Sequence, residues 1–167
     1  MHFNLKRSVL FFCLPFFLAA APVSAGDVFV VSHVSDGDTL ILQDGRRVRL
    51  IGVDTPEMHD KQRNREDARR NHLNEKTVAK FAEKAKKFVQ DAVEGRSVRL
   101  EYDWEREDKY GRTLAYVYRE EDGYFLNEAI LREGYGFAYL VFPFKYTEEF
   151  RSLGSEAQKE GRGLWKS

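Results

Sequence analysis

The sequence has a single cysteine, Cys13, in 167 residues, and that scarcity excludes two routes to stability. A disulfide framework needs pairs of cysteines, and a thiolate metal site needs clusters of them. An excess of one charge is missing as well, since 27 basic residues balance 27 acidic ones. A protein that holds nucleic acid through a broad positive field is usually strongly basic, so any phosphate recognition here must be local. Internal repeats and low-complexity linkers are absent. His33, His59 and His72 show no metal-ligand spacing.

Long apolar runs are limited to one, Val9 to Ala21, with Lys6 and Arg7 before it and Val23-Ser24-Ala25 after it. A basic start, a short apolar stretch and small residues at 23 and 25 read as an export signal cleaved after Ala25. The run is shorter than the ~20 residues of a spanning helix. Secretion or delivery to a periplasm is therefore expected, with an uncleaved membrane anchor as the alternative. Cleavage removes Cys13, Lys6 and Arg7 and leaves 26–167 as one cysteine-free, slightly acidic domain. Export would permit disulfides, yet this domain has to rely on packing.

Residues 28–33 and 39–43 are rich in β-branched and apolar side chains, and Asp44-Gly45 is a hairpin turn into a third strand over 46–53. The charged stretch DKQRNREDARRNH, 60–72, reads as a solvated loop beside the sheet. From Leu73 onward, Val78, Phe81, Ala82, Ala85, Phe88, Val89, Ala92 and Val93 recur at helical spacing, and Gly95 ends the helix. Strand character returns over 97–103 and 112–119. A short helix over 126–132 and a last one capped by Thr147 complete the chain. Five strands with three helices predict a small β-barrel of the OB kind, in the α+β class.

Two acidic clusters carry the chemistry. Asp36-Gly37-Asp38-Thr39 lies between the first two strands, and Asp54-Thr55-Pro56-Glu57 ends the third, where Pro56 stops the strand. In a meander both positions fall at the same end of the sheet, so Asp38 and Asp54 converge. Two carboxylates with a backbone carbonyl from Thr55 suit a hard cation such as Ca²⁺ and not zinc. Asp36 is either an outer-shell carboxylate or a turn residue. Arg49 offers a planar fork for phosphate oxygens, with a surface salt bridge as the alternative. Glu57, three residues beyond Asp54, is placed to take a proton from water. A cation, a guanidinium and a basic carboxylate together suit in-line attack of water on a phosphodiester.

The motifs D-G-D-T at 36–39, R-L-I-G-V-D-T-P-E at 49–57, D-K-Y-G-R at 108–112, L-N-E-A-I-L-R-E-G at 126–134 and G-L-W at 163–165 resemble, in order, those of the staphylococcal nuclease (thermonuclease) family. The resemblance spans about Val28 to Trp165. It implies an OB-fold, Ca²⁺-dependent nuclease that cleaves DNA and RNA and leaves 3′-phosphate ends. By that resemblance Asp38, Asp54 and Thr55 bind the metal, Glu57 is the general base, and Arg49 and Arg112 bind the reacting phosphate. Lys109 and Tyr110 would support a neighbouring phosphate, and Tyr139 would face the nucleotide. Val141 and Phe142 stand where the family often has a second tyrosine, which puts base binding in question.

Exposed rings near the metal would favour single-stranded or unpaired substrate, because base stacking contributes ~1–3 kcal/mol per base; most phenylalanines of the stretch 137–146 are expected in the core. The arginines of 60–72 offer a path for a polyanion. A monomer without an obligate protein partner is expected. The rival to a nuclease is a binding module of the same fold with weak chemistry, which usually lacks some of these arginines or carboxylates.

Overall fold

The computed structural model describes residues 27–166, so the targeting segment expected over residues 1–25 lies outside the described part. The chain forms β1 (Val28–Asp36), β2 (Thr39–Leu42), β3 (Arg47–Leu50), β4 (Val53–Asp54), α1 (Lys61–Arg70), α2 (Glu75–Val93), β5 (Ser97–Glu101), β6 (Thr113–Arg119), α3 (Leu126–Arg132), β7 (Phe137–Ala138) and α4 (Thr147–Lys159), then a 3₁₀ turn, Gly163–Trp165. Five strands close a barrel in the order β1-β2-β3-β6-β5, while β4 and β7 pair separately. This is the OB-type barrel expected. All its pairings are antiparallel except β3 with β6, and that parallel pair is made possible by the long α1–α2 excursion between them.

The third strand is shorter than predicted. It ends at Leu50, and β4 begins a new pairing at Val53. Gly52 lies at φ 72° in the left-handed region, and a Cβ there would stand 2.6 Å from Phe144 Cζ and Phe150 Cδ2. A glycine is therefore required both by the backbone and by the two rings pressed against it. The break turns the chain out of the barrel just before Asp54. Asn127, at the start of α3, fastens it: its amide donates to Ile51 O at 2.9 Å and its carbonyl accepts from Val117 N at 2.9 Å.

The helix count is four, one more than the three predicted. The extra one, α1, occupies the stretch expected as a loop. Asp60 caps it by accepting from Arg63 N at 2.9 Å. Its buried face consists of Asn64, Asp67 and Ala68, so no apolar period announces it. Thr147 is not the cap of α4; it is the first helical residue, and its hydroxyl instead accepts from Phe144 N and donates to Phe144 O.

The α2 periodicity is as predicted: Val78, Phe81, Ala82, Ala85, Val89, Ala92 and Val93 are buried. Phe137 and Phe144 are buried, as expected of most phenylalanines of the stretch 137–146, whereas Phe142 is 61% exposed. No described helix is long and apolar enough to cross a membrane.

Candidate active site

The meander brings the two acidic clusters together at one end of the barrel. Thr39 is in register with Arg49, and Leu50 N donates to Asp38 O at 2.9 Å. The β1–β2 turn can approach Thr55 only because residue 37 is glycine, whose added Cβ would meet Thr55 Oγ1 at 2.8 Å. Asp38 is consequently held from two sides. Its Oδ2 accepts from Thr55 N at 2.9 Å and from Thr55 Oγ1 at 3.1 Å, and its Oδ1 accepts from Thr39 Oγ1 at 3.1 Å.

Arg49 joins the carboxylates. Nη1 lies 3.1 Å from Asp38 Oδ2, and Nη2 donates to Asp54 Oδ1 at 3.0 Å. Nη1 also donates to Val53 O at 2.6 Å. All four groups are buried: Asp38, Arg49, Asp54 and Thr55 are at most 8% exposed. A charge removed from water needs partners of opposite sign and satisfied lone pairs, and each carboxylate here has the guanidinium.

The electrostatics separate the acids. Burial raises the Asp38 carboxyl, but the Arg49 charge and the hydrogen bonds with Asp36 and Thr55 outweigh it and hold the group below its usual range. Asp36 is pushed up to about 7 by burial, by the Asp38 charge and by Glu57. Asp54 and Glu57 are both raised, first by burial and then by Asp38, against the pull of Arg63 and Arg49. Asp36 reaches the cluster through its Oδ1, which accepts from Asp38 N at 3.3 Å.

Glu57 stands beside the cluster on the loop into α1. Asn64 holds that loop at both ends of one residue, accepting from Glu57 N at 2.9 Å and donating to Glu57 O at 2.6 Å. Arg63 then bridges the acids: Nη2 bonds Asp54 Oδ1 and Nη1 lies 3.2 Å from Glu57 Oε1. Sequence reasoning missed both residues as parts of the site, since an arginine in a run of charges carries no signal of its own.

Arg112 is positioned by Asp108. The carboxylate accepts from Arg112 Nε at 2.7 Å and from the backbone N–H groups of Tyr110 and Arg112 at 2.9 and 3.0 Å. Both Nη groups of Arg112 are left without a hydrogen bond to the described residues. Spacing alone gave no sign of this pair, and Arg112 was singled out by the family resemblance.

A cavity of about 670 Å³ opens on this end of the barrel and is lined by Arg49, Asp54, Lys109, Tyr110, Arg112 and Tyr139, among others. Asp38, Thr55 and Glu57 are not in its wall. Tyr110 is 68% exposed, with Lys109 Nζ 5.0 Å and Arg112 Cζ 5.6 Å from its ring centre. The Tyr139 and Phe142 rings are 6.4 Å apart.

Among the described residues no group of three or more His, Cys, Asp or Glu side chains is arranged to hold a metal ion. The donors present are the Asp38 and Asp54 carboxylates, which share the Arg49 guanidinium, and the neighbouring Thr55 backbone. An all-oxygen set of this kind fits a hard divalent cation with water completing its shell.

The comparisons with known proteins bear on the family of the chain. A family model described as Staphylococcal nuclease homologue matches residues 47–167. It begins at the first residue of β3, so Asp38 precedes the matched stretch although it belongs to the same barrel. Thermonuclease from Staphylococcus intermedius is 38% identical over 141 residues, covering 82% of this chain and 73% of that protein. Thermonuclease from Staphylococcus hyicus is 33% identical over 156 residues, with coverages of 90% and 83%. Endonuclease YncB from Bacillus subtilis (strain 168) is 36% identical over 136 residues, covering 78% of this chain and 57% of that protein. The matched region, the similarity over most of the chain and the closed five-stranded barrel establish that this protein belongs to the staphylococcal nuclease family.

Proposed function

We propose that the protein is an exported, Ca²⁺-dependent nuclease that hydrolyses phosphodiester bonds of DNA and RNA with little sequence preference and leaves 3′-phosphate ends. The observation that carries this reading is the buried cluster of Asp38, Arg49 and Asp54 at the edge of a cavity that Arg112 also lines. The family relationship and the thermonuclease and endonuclease names of the relatives support it. Export rests on the sequence of the first 25 residues, and a monomer suffices for the site.

Asp38, Asp54 and the Thr55 carbonyl would hold the ion. When bound, a divalent cation offsets phosphate charge and orders water beside phosphorus. The protein groups do the rest. Arg49 and Arg112 offer guanidinium forks to the phosphate oxygens, where negative charge builds as phosphorus gains a fifth oxygen. Glu57, whose carboxyl is raised by burial and by Asp38, accepts a proton from the attacking water. The new bond joins the water oxygen to phosphorus. The bond from phosphorus to the 5′ oxygen breaks, its electron pair stays on that oxygen, and solvent supplies the proton. Lys109 and Tyr110 would support a neighbouring phosphate, and Tyr139 would face a base.

Identification of the product ends tests the cleavage position: 3′ termini that block polymerase extension until a phosphatase is added are expected, and freely extendable termini would refute it. One feature favours the alternative of a catalytically weak binding module, namely the contact of Arg63 with Asp54 and Glu57. The Ca²⁺ requirement of turnover decides between them.

A further inference from the structure

Arg63 leaves the first turn of α1 and reaches the acids at the heart of the site. Its Nη2 bonds the same Asp54 oxygen, Oδ1, that Arg49 Nη2 occupies at 3.0 Å, and its Nη1 faces Glu57 Oε1 at 3.2 Å. Burial opposes its charge, but Asp54, Asp38 and Glu57 together hold the guanidinium firmly protonated. A divalent ion drawing on Asp54 would meet this cation at the shared oxygen, and like charges at such range in a partly buried site repel strongly.

We infer that Arg63 is a tethered counter-cation of the carboxylate cluster, which competes with the divalent ion for Asp54 and, when the ion binds, is displaced from both Asp54 and Glu57. The inference rests on the calcium reading above.

Two further observations support it. The first is delivery: the paired Asn64 bonds to both backbone groups of Glu57 clamp the start of α1 to the site loop. The guanidinium on the preceding residue is thereby held at high effective concentration, as an intramolecular rival of any free ion. The second is a second seat. Asp67 is one helical turn beyond Arg63 and only 1% exposed; its Oδ1 bonds Arg70, and its Oδ2 has no hydrogen-bond partner among the described residues. Residues four apart on a helix share a face, so a displaced Arg63 finds a buried, unsatisfied carboxylate oxygen beside it.

Calcium titration calorimetry on the full chain and on the variants Arg63→Gln, Asp67→Asn and Asp54→Asn tests this. Arg63→Gln is expected to bind Ca²⁺ more tightly by about fivefold, the size of losing one partly exposed charge pair. Asp67→Asn is expected to bind it more weakly, and Asp54→Asn to lose it. Unchanged or weaker affinity in a folded Arg63→Gln protein would overturn the counter-cation role while leaving the calcium site intact. Absence of Ca²⁺ binding in both the unmodified protein and Arg63→Gln, or its retention in Asp54→Asn, would instead refute the calcium reading itself.

An independent readout is the Arg63 side-chain Nε–H resonance, assigned by its loss in Arg63→Lys. It should shift on Ca²⁺ addition while that of Arg112, paired with Asp108, stays in place. A stationary Arg63 signal at saturating Ca²⁺ would overturn the proposal even if the glutamine variant failed to fold.

Discussion

Glu57→Gln keeps the side-chain shape but removes the capacity to accept a proton. Turnover on single-stranded DNA should fall by roughly 10²–10³-fold, with Ca²⁺ affinity and nucleotide binding retained. Arg112→Lys keeps a charge but loses the planar fork, and about the same loss is expected in the same assay. Near-normal rates in either variant would mean that the roles are misassigned. The contributions of these residues were unequally legible. The convergence of Asp38 and Asp54 follows from strand geometry, because a meander returns its third strand to the level of its first turn, whereas Arg49 taken alone read equally as a surface salt bridge. Arg112 was recognisable only by resemblance. Arg63 was hidden: its role depends on a helix whose buried face is Asn64 and Asp67, and polar residues give no hydrophobic period to read.

At the scale of elements, the break between β3 and β4 directs Asp54 and Thr55 into the site. Gly52→Ala would force a Cβ against Phe144 and Phe150 at a left-handed position. A loss of about 2–4 kcal/mol in urea unfolding is expected, with a change below 0.5 kcal/mol arguing against the required contact. Reading one strand through 46–53 failed for the same reason, since Leu50, Ile51 and Val53 have strand character and the tertiary packing of two distant aromatic rings decides the turn. The strands read over 28–33, 39–43 and 112–119, by contrast, were evident from local composition and form β1, β2 and β6 with shifted ends, and α2 was evident from its apolar stripe.

For the molecule as a whole, Asp103 joins three parts of the fold. It accepts from the hydroxyl of the buried Tyr116 at 2.6 Å, from Lys145 N at 2.8 Å and from Trp104 N at 2.9 Å. Burial would raise its carboxyl, but these bonds outweigh it and hold the group below its ordinary value of 3.8. A depressed carboxylate contributes stability that is present above its unfolded value and lost as pH falls through the folded one. Asp103→Asn should therefore lower the melting temperature at pH 7, with the difference from the unmodified protein shrinking below about pH 4. An equal difference at pH 7 and pH 3 would contradict that linkage.

The central claim is that the carboxylate–arginine cluster is the working site of a metal-dependent nuclease. Release of acid-soluble nucleotides from single-stranded DNA, measured first with Ca²⁺ and then with excess chelator, tests it most directly. The account predicts cleavage with Ca²⁺ that stops when the chelator is added. A folded protein that binds DNA and, supplied with Ca²⁺, releases nothing would contradict it and favour a binding module that keeps the site without its chemistry.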